Sequence, residues 1–473
     1  MPDSPPDSVV VVGGGVTGLV AAHELLRAGV DVAVVEASPR LGGKVQTEHV
    51  DGFVVEAGPD SFVAGKGAVL GLARELGLED DVRWIRPGGG GSQVWWNGRL
   101  HPLPEGLLLM APSRLAPLFR SSLLSWRGKL RLLGDLVVPR GDGEDESLES
   151  FVRRRLGREM LERVAQPLIA GIHAADPATM SLRASFPRFL DMEREHRSLI
   201  LAARAALKGA PETHGLSHFA TFSRGMGQLV EALVGATTSA HVVTGSAARE
   251  IRPSVSGYRL VLDDGSALEA RAVVLAVPAR TATALLAPIS ARVSAAIAGI
   301  SQVSTAPVTL AYRADDVPEL EGSGFVVPAA RGGQVTGVSF LSNKWAGRVP
   351  DDGFVMLRVF VGGPHGQEAA TSPPERLEEI VRAELAELLD LRADPVLVRV
   401  SSWEGGLHRY TMGHLERVGE VEAAFRDHPG LVIAGAAFHG IGLNECVASG
   451  RRAAAQLLGS RGPGHRRERA ANS

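Results

Sequence analysis

Gly13, Gly15 and Gly18 form a Gly-x-Gly-x-x-Gly spacing directly after the run Val9-Val10-Val11-Val12. Residues of this kind let a backbone approach a pyrophosphate at the start of a helix. Gly13 permits the tight turn, Gly14 continues it, Gly15 allows the close approach, and Gly18 lets helix pack on strand. Glu36 ends a second β-branched run, where a carboxylate can accept hydrogen bonds from both ribose hydroxyls. A basic pair, Arg40 and Lys44, brackets Gly42-Gly43, and Gly58-Pro59 follows. Far along the chain, Gly435, Gly440, Ile441 and Gly442 make another glycine turn that includes His439. This chemistry binds and orients a dinucleotide. No residue set has metal-ligand spacing, and a single Cys excludes a disulfide framework or a cysteine-rich zinc site.

These residues need elements to hold them. Residues 9–12 read as a strand buried on both faces, residues 19–28 as a helix closed by Gly29, and residues 30–35 as a second strand. Residues 431–435 read as a strand before the late glycine turn, and residues 444–458 as a helix rich in small side chains. Between them, residues 247–251 and 258–262 read as a hairpin, and residues 272–278 as a buried strand ending in Pro. The nucleotide-binding unit is therefore discontinuous, opening and closing the chain.

The 473 residues correspond to two or three domains. A net charge of −3 removes the broad electrostatic reason to expect nucleic acid. Residues 1–8 lack a basic segment and are not read as a secretory signal. The apolar stretch 9–26 is broken by glycines, His23 and Glu24, so it is not read as a membrane span. A cytoplasmic protein is expected. Residues 106–210 carry leucine clusters among many Arg residues, with amphipathic helices expected at 107–110 and 115–136. They read either as a membrane-surface contact, peripheral at most, or as core helices covering a substrate, and the second is preferred.

Arg40-Leu41-Gly42-Gly43-Lys44 resembles the Arg-x-Gly-Gly-Arg motif of the amine oxidase superfamily of flavoproteins, with Lys in place of the last Arg. The resemblance implies FAD. It implies that Arg40 and the Gly42-Gly43 backbone touch the phosphates and ribityl chain, and that Glu56-Ala57-Gly58-Pro59 lies near the isoalloxazine. It further implies that Ala248 holds adenine through its backbone, and that the late helix points its N-terminus at the flavin. Residues 146–157, 166–182 and 222–229 resemble the bacterial protoporphyrinogen/coproporphyrinogen oxidase family. So does Trp403 to His414, with His408 and Arg409 where that family has Pro-Gln, and so does the closing Gly440 to Val447. The fold expected is α/β: a Rossmann-like FAD domain of the amine oxidase/p-hydroxybenzoate hydroxylase type, a β-sheet substrate domain and a helical domain. The FAD domain is assigned to residues 1–90, 211–280 and 426–460, the sheet domain to 91–105 and 281–425, the helical domain to 106–210, and a tail to 461–473.

The family's chemistry takes hydride from a methylene bridge and a proton from a pyrrole nitrogen, in three two-electron steps, with flavin as acceptor. Molecular oxygen would then reoxidise the flavin and give hydrogen peroxide. The resemblance points the Gly171 carbonyl at the macrocycle and places Leu341 and Trp345 in its walls, together with 301–302, 308–312 and 337–345. For Leu341 and Trp345, a role as core residues stays open. His439 either reaches the flavin edge or is a polar loop residue. Cys446 is either a redox thiol or a small packing residue, and packing is preferred. Animal and plant relatives have a basic residue for a propionate where this chain has Ser92-Gln93, so that contact does not carry over. Coproporphyrinogen III is the expected substrate and protoporphyrinogen IX the alternative, with transient contacts to other haem-pathway enzymes. An amine oxidase or carotenoid desaturase shares the scaffold. A flavin-free relative of the GDP-dissociation inhibitor type should lack the Gly42-Gly43 loop, which is present.

Overall fold

The computed structural model describes residues 8–141, 144–209, 219–363 and 366–459. The expected tail at 461–473 lies outside the described residues. Five parallel strands make the central sheet, in the order His241–Thr244, Val32–Glu36, Val9–Val12, Ala272–Leu275, Leu431–Ile433. Val9–Val12 lies in the middle and is buried throughout, which is what an unbroken β-branched run requires. The apolar stretch that hydropathy alone would run into one span is this strand, the glycine turn and the helix Val16–Arg27. Among the described residues no helix is long and apolar enough to cross a membrane.

Helix Val16–Arg27 packs against the late helix Leu443–Gly459 on one face of the sheet. A Cβ at Gly450 would sit 3.0 Å from the Val20 Cβ and 3.1 Å from the Ala21 nitrogen, so only glycine lets these helices approach this closely. The other face carries the antiparallel strands Ala248–Ser254, Gly257–Leu262 and Ala267–Ala270, a third strand added to the expected hairpin. It also carries helices Ala279–Leu286, Ala291–Ala298 and His414–Phe425. Residues 281–300 and 414–425 are expected in the sheet domain. Their apolar stripes, through Leu285, Val293, Ile297, Val418 and Val421, pack instead in the nucleotide unit's core.

The second sheet runs Leu397–Val400, Ser301–Arg313, Phe354–Val361, Val335–Phe340, Gly324–Val326, Gln93–Trp96, Arg99–Pro102, with Trp403–Arg409 also paired to Ser301–Arg313. One face packs on helix Pro374–Leu389 through Val308, Leu310, Tyr312, Leu357 and Val359. Strand alternation puts Arg358 and Phe360 on the opposite, inner face. Val326 also lies there, against the helical unit.

That unit has its own core around Phe151, Leu161, Ile169 and Leu182. It is pinned by Arg155, whose Nε donates to Asp135 at 2.7 Å with both side chains fully buried. Asp135 also accepts from the Ile200 backbone at 3.0 Å. A buried pair that is fully hydrogen-bonded is costly to break from either side. The helix expected at 107–110 is instead a hairpin, Leu107–Leu108 against Ala111–Pro112, with Leu109 left-handed at the turn. Trp126 and Leu130, one turn apart on helix Trp126–Leu133, stay 67% and 64% exposed.

Candidate functional site

The glycine turn leaves the Val9–Val12 strand at Gly13, whose φ of +105° is one L side chains rarely adopt. Gly15 caps helix Val16–Arg27 with ordinary extended dihedrals, without a side-chain cap, and no acidic residue occupies the first turn. The helix therefore offers its first N–H groups and the positive end of its dipole to an anion. A Cβ built on Gly15 would meet only the Gly43 Cα, at 3.9 Å. Gly15 and Gly42 form a parallel bridge, with the Gly42 N–H donating to the Gly14 carbonyl at 2.8 Å. The two glycine loops thus face each other across a cradle that any side chain at Gly15 would fill. At Gly18 a Cβ would run into the Gly13 carbonyl oxygen, so helix and turn already touch there.

On one side of the cradle, the Glu36 carboxylate accepts from the Gly14 N–H at 2.7 Å and the Ser38 N–H at 2.9 Å. Backbone donors fix it at the strand end. Ser246 donates its N–H to the Glu36 carbonyl at 3.2 Å, and Gly245 donates to Ser38 at 2.8 Å. These bonds bring the segment leading into Ala248 beside Glu36. Arg40 donates to the Gly43 carbonyl and to Gln46, both at 2.7 Å, so its guanidinium braces the second glycine loop.

On the other side, Gly58 sits directly on the Lys44 carbonyl, leaving no space for a Cβ. The Ala57 carbonyl accepts from Trp403 Nε1 at 2.8 Å, and the Gly58 carbonyl accepts from Arg358. The loop through Pro59 continues to Asp60, which pairs with Lys344 at 3.1 Å. Burial lowers the Lys44 amine from its ordinary range and raises the thiol of the half-buried Cys446.

The late glycine turn closes the site from the third side. The Gly435 N–H donates to the Ser449 hydroxyl at 3.0 Å. Tyr410 donates its hydroxyl to the Ala436 carbonyl at 2.8 Å and accepts from the Gly440 N–H. His414 stacks on Tyr410 with centroids 3.9 Å apart and donates from Nε2 to the Phe438 carbonyl at 3.1 Å. The Trp403 to His414 motif thus clamps two loops: Trp403 holds Ala57, and Tyr410 with His414 holds the turn leading to Gly440, Ile441 and Gly442. His439 pairs with Glu422 at 2.9 Å at the exposed edge of this turn.

Gly171, on helix Gln166–His173, faces the inner sheet. Its Cβ position lies 3.3 Å from Val326 Cγ1 and 3.9 Å from the Thr336 carbonyl oxygen. Leu341 and Trp345 are each 1% exposed, in a cluster with Phe53, Val55 and Met356. That is core packing. Val308, Leu310 and Tyr312, expected in the macrocycle wall, point the opposite way, toward helix Pro374–Leu389. They alternate with residues of the inner face, a distinction that sheet orientation decides. Arg358 was missed in the sequence, although one charge inside the apolar strand FVMLRVFV was a readable signal.

His408 occupies the family's Pro position. Gln302 Nε2 donates to its Nε2 at 3.1 Å, which puts the ring proton on Nδ1. Burial, then Lys44 and His414, hold His408 down at about 3, and burial is the main cause that holds His414 at about 4. At neutral pH both are uncharged in the folded chain and mostly so in the unfolded one. Below the ordinary value of about 6.5, the unfolded chain takes up protons that the folded chain refuses, so stability falls toward the folded values. By about pH 5 each residue should cost up to about 2 kcal/mol. Thermal midpoints should drop between neutral pH and about pH 5, and His408→Gln should flatten the drop. An unchanged pH dependence in that variant would refute the assignment.

The chain matches the model of flavin containing amine oxidoreductases over residues 16–458. It is 36% identical to the coproporphyrinogen III oxidase of Propionibacterium freudenreichii, covering 97% of this chain and 92% of that protein. It is 33% identical to the coproporphyrinogen III oxidase of Bacillus subtilis, covering 95% and 97%, and 31% identical to human protoporphyrinogen oxidase, covering 96% and 98%. A crystal structure from Exiguobacterium sp. 255-15, provisionally assigned as a protoporphyrinogen oxidase, superposes with a TM-score of 0.86 at 30% identity, covering 97% of this chain and 100% of that one. The open cradle at Gly15, the uncapped helix and the fixed Glu36 carboxylate fit FAD. The chain belongs to the flavin-containing amine oxidoreductase family and is an FAD-dependent oxidoreductase.

Proposed function

We propose that the protein oxidises coproporphyrinogen III to coproporphyrin III, with molecular oxygen as final acceptor and hydrogen peroxide as product, in the cytoplasm. The observation that carries this reading is the near-full-length similarity to two bacterial coproporphyrinogen III oxidases. Bound FAD supplies the two-electron acceptor. Glu36 and Ala248 anchor its adenosine half, and the Gly15–Gly43 cradle fixes its pyrophosphate. Lys44, Gly58 and the Trp403 clamp set where the reactive ring lies. Gly171 packs on Val326 and beside Thr336, and its carbonyl is the group that would face a flat, apolar macrocycle stacked next to this contact. Glu56 and Asp60 are both held in the buried ion network, so neither is free as a base, and aromatisation supplies the driving force for losing pyrrole protons.

Protoporphyrinogen IX is the second reading, supported by the 31% identity to the human enzyme. Steady-state turnover of the purified yellow protein on both substrates separates them. Coproporphyrinogen III should be preferred at least tenfold in kcat/KM, and a preference for protoporphyrinogen IX would overturn the substrate assignment.

A further inference from the structure

The loop beside Lys44 is surrounded by five ionisable side chains: Glu56, Asp60, Lys344, Arg348 and Arg358. Asp60 pairs with Lys344 at 3.1 Å. Although burial pushes its carboxyl up, Lys344 and Arg358 hold it well below the usual carboxylate range. Glu56 is 3.7 Å from Arg348 and accepts from Thr47 and from the Met226 N–H, both at 2.7 Å. Two carboxylates are thereby matched to two cations, which leaves Arg358.

Arg358 is 2% exposed. Its Nη2 donates to the Gly58 carbonyl and, at 3.5 Å, to the Ala57 carbonyl, and its Nε has no partner among the described residues. Among the described residues no carboxylate lies within ion-pair distance of it. Phe360 stacks beneath it, with 5.2 Å from Cζ to the ring centroid. Burial lowers its affinity for its proton, and only the more distant Asp60 and Glu56 oppose this. A buried cation held by carbonyl oxygens alone is destabilising unless an anion joins it.

We propose that Arg358 is the positioning residue that complements the negative charge the flavin gains on two-electron reduction. This rests on the flavin half of FAD lying along Lys44 and Gly58. The guanidinium binds that loop from the sheet side, locks its carbonyls away from the ring, and adds a fixed positive field in a water-poor site. The field favours the reduced, charged cofactor over the oxidised, neutral one and so raises the reduction potential.

The test uses the holoenzyme and needs no porphyrinogen. Arg358→Gln keeps a donor for Gly58 and removes the charge; Arg358→Lys keeps the charge and loses the fork. Spectroelectrochemistry should show the two-electron reduction equilibrium at least tenfold less favourable in Arg358→Gln, about 30 mV. Arg358→Lys should stay within threefold of wild type. Equal potentials in wild type and Arg358→Gln, with only a lower melting temperature, would overturn the proposal. If Arg358→Gln loses FAD, the wild-type spectrum and Arg358→Lys decide. Reduced wild-type flavin should remain anionic at the lowest pH where the protein is folded, and a neutral reduced form, or a tenfold loss in Arg358→Lys, would refute it. Absence of FAD from the wild-type protein would count against the cofactor placement, and a potential shift without porphyrinogen turnover would count only against the substrate.

Discussion

Gly15→Val should yield a folded protein that no longer retains FAD. Gly15 has φ −73° and ψ 176°, which any residue can adopt, so the substitution carries no backbone strain. Within the protein a Cβ there meets only Gly43, at 3.9 Å. The loss of stability should stay near 1 kcal/mol, the scale of a poor helix N-cap. The valine methyls would instead occupy the space between the two glycine loops, where the pyrophosphate must reach the helix N–H groups. Flavin content after purification should fall below about a tenth of wild type, a binding loss of more than about 1.4 kcal/mol. Gly18→Ala serves as a contrast. Its Cβ collides with the Gly13 carbonyl, so it should lower the melting temperature of the protein even without cofactor. Full flavin occupancy in Gly15→Val would show that the cofactor does not pass through this cradle.

Gly171→Phe should abolish turnover while sparing the cofactor. Helix Gln166–His173 approaches the inner sheet so closely that the Gly171 Cβ position is already 3.3 Å from Val326. A phenyl group there would push helix and sheet apart at the junction a macrocycle would enter, so the variant should also lose about 1–3 kcal/mol of stability. With coproporphyrinogen III as substrate, kcat/KM should fall at least a hundredfold, roughly 2.7 kcal/mol of lost transition-state stabilisation. Flavin content and absorbance should remain those of wild type. Wild-type turnover in this variant would move the macrocycle to another face.

The nucleotide unit was legible because its signals are local. A β-branched strand, a glycine turn and a terminal carboxylate determine one another within a few residues, and Glu36 meets Gly14 while Gly15 bridges to Gly42, as that pattern requires. The substrate side is built from residues far apart in sequence. Whether Leu310 or Thr309 faces the site depends on the side from which helix Pro374–Leu389 covers the sheet, and period-two alternation is silent on that. Leu341 and Trp345 carry the right apolar character for a ring wall, yet the same character places them in the core. Leu107 to Met110 has helical composition, but a left-handed Leu109 turns it into a hairpin. Arg358 shows in the sequence as a charge inside an apolar strand, but its role needed the structure, because its partners, Ala57 and Gly58, lie about three hundred residues earlier in the chain and are bound through backbone oxygens that leave no trace in side-chain type.

One dinucleotide running from Glu36 past Gly15 to Gly58 should meet a porphyrinogen at the Gly171 junction. Anaerobic rapid mixing of the purified yellow enzyme with coproporphyrinogen III tests it most directly. The bound flavin should bleach in a single fast phase that saturates with substrate, and Gly171→Phe should stay oxidised under the same conditions. Wild-type flavin that stays oxidised at saturating coproporphyrinogen III and protoporphyrinogen IX, while still bleaching with dithionite, would contradict it.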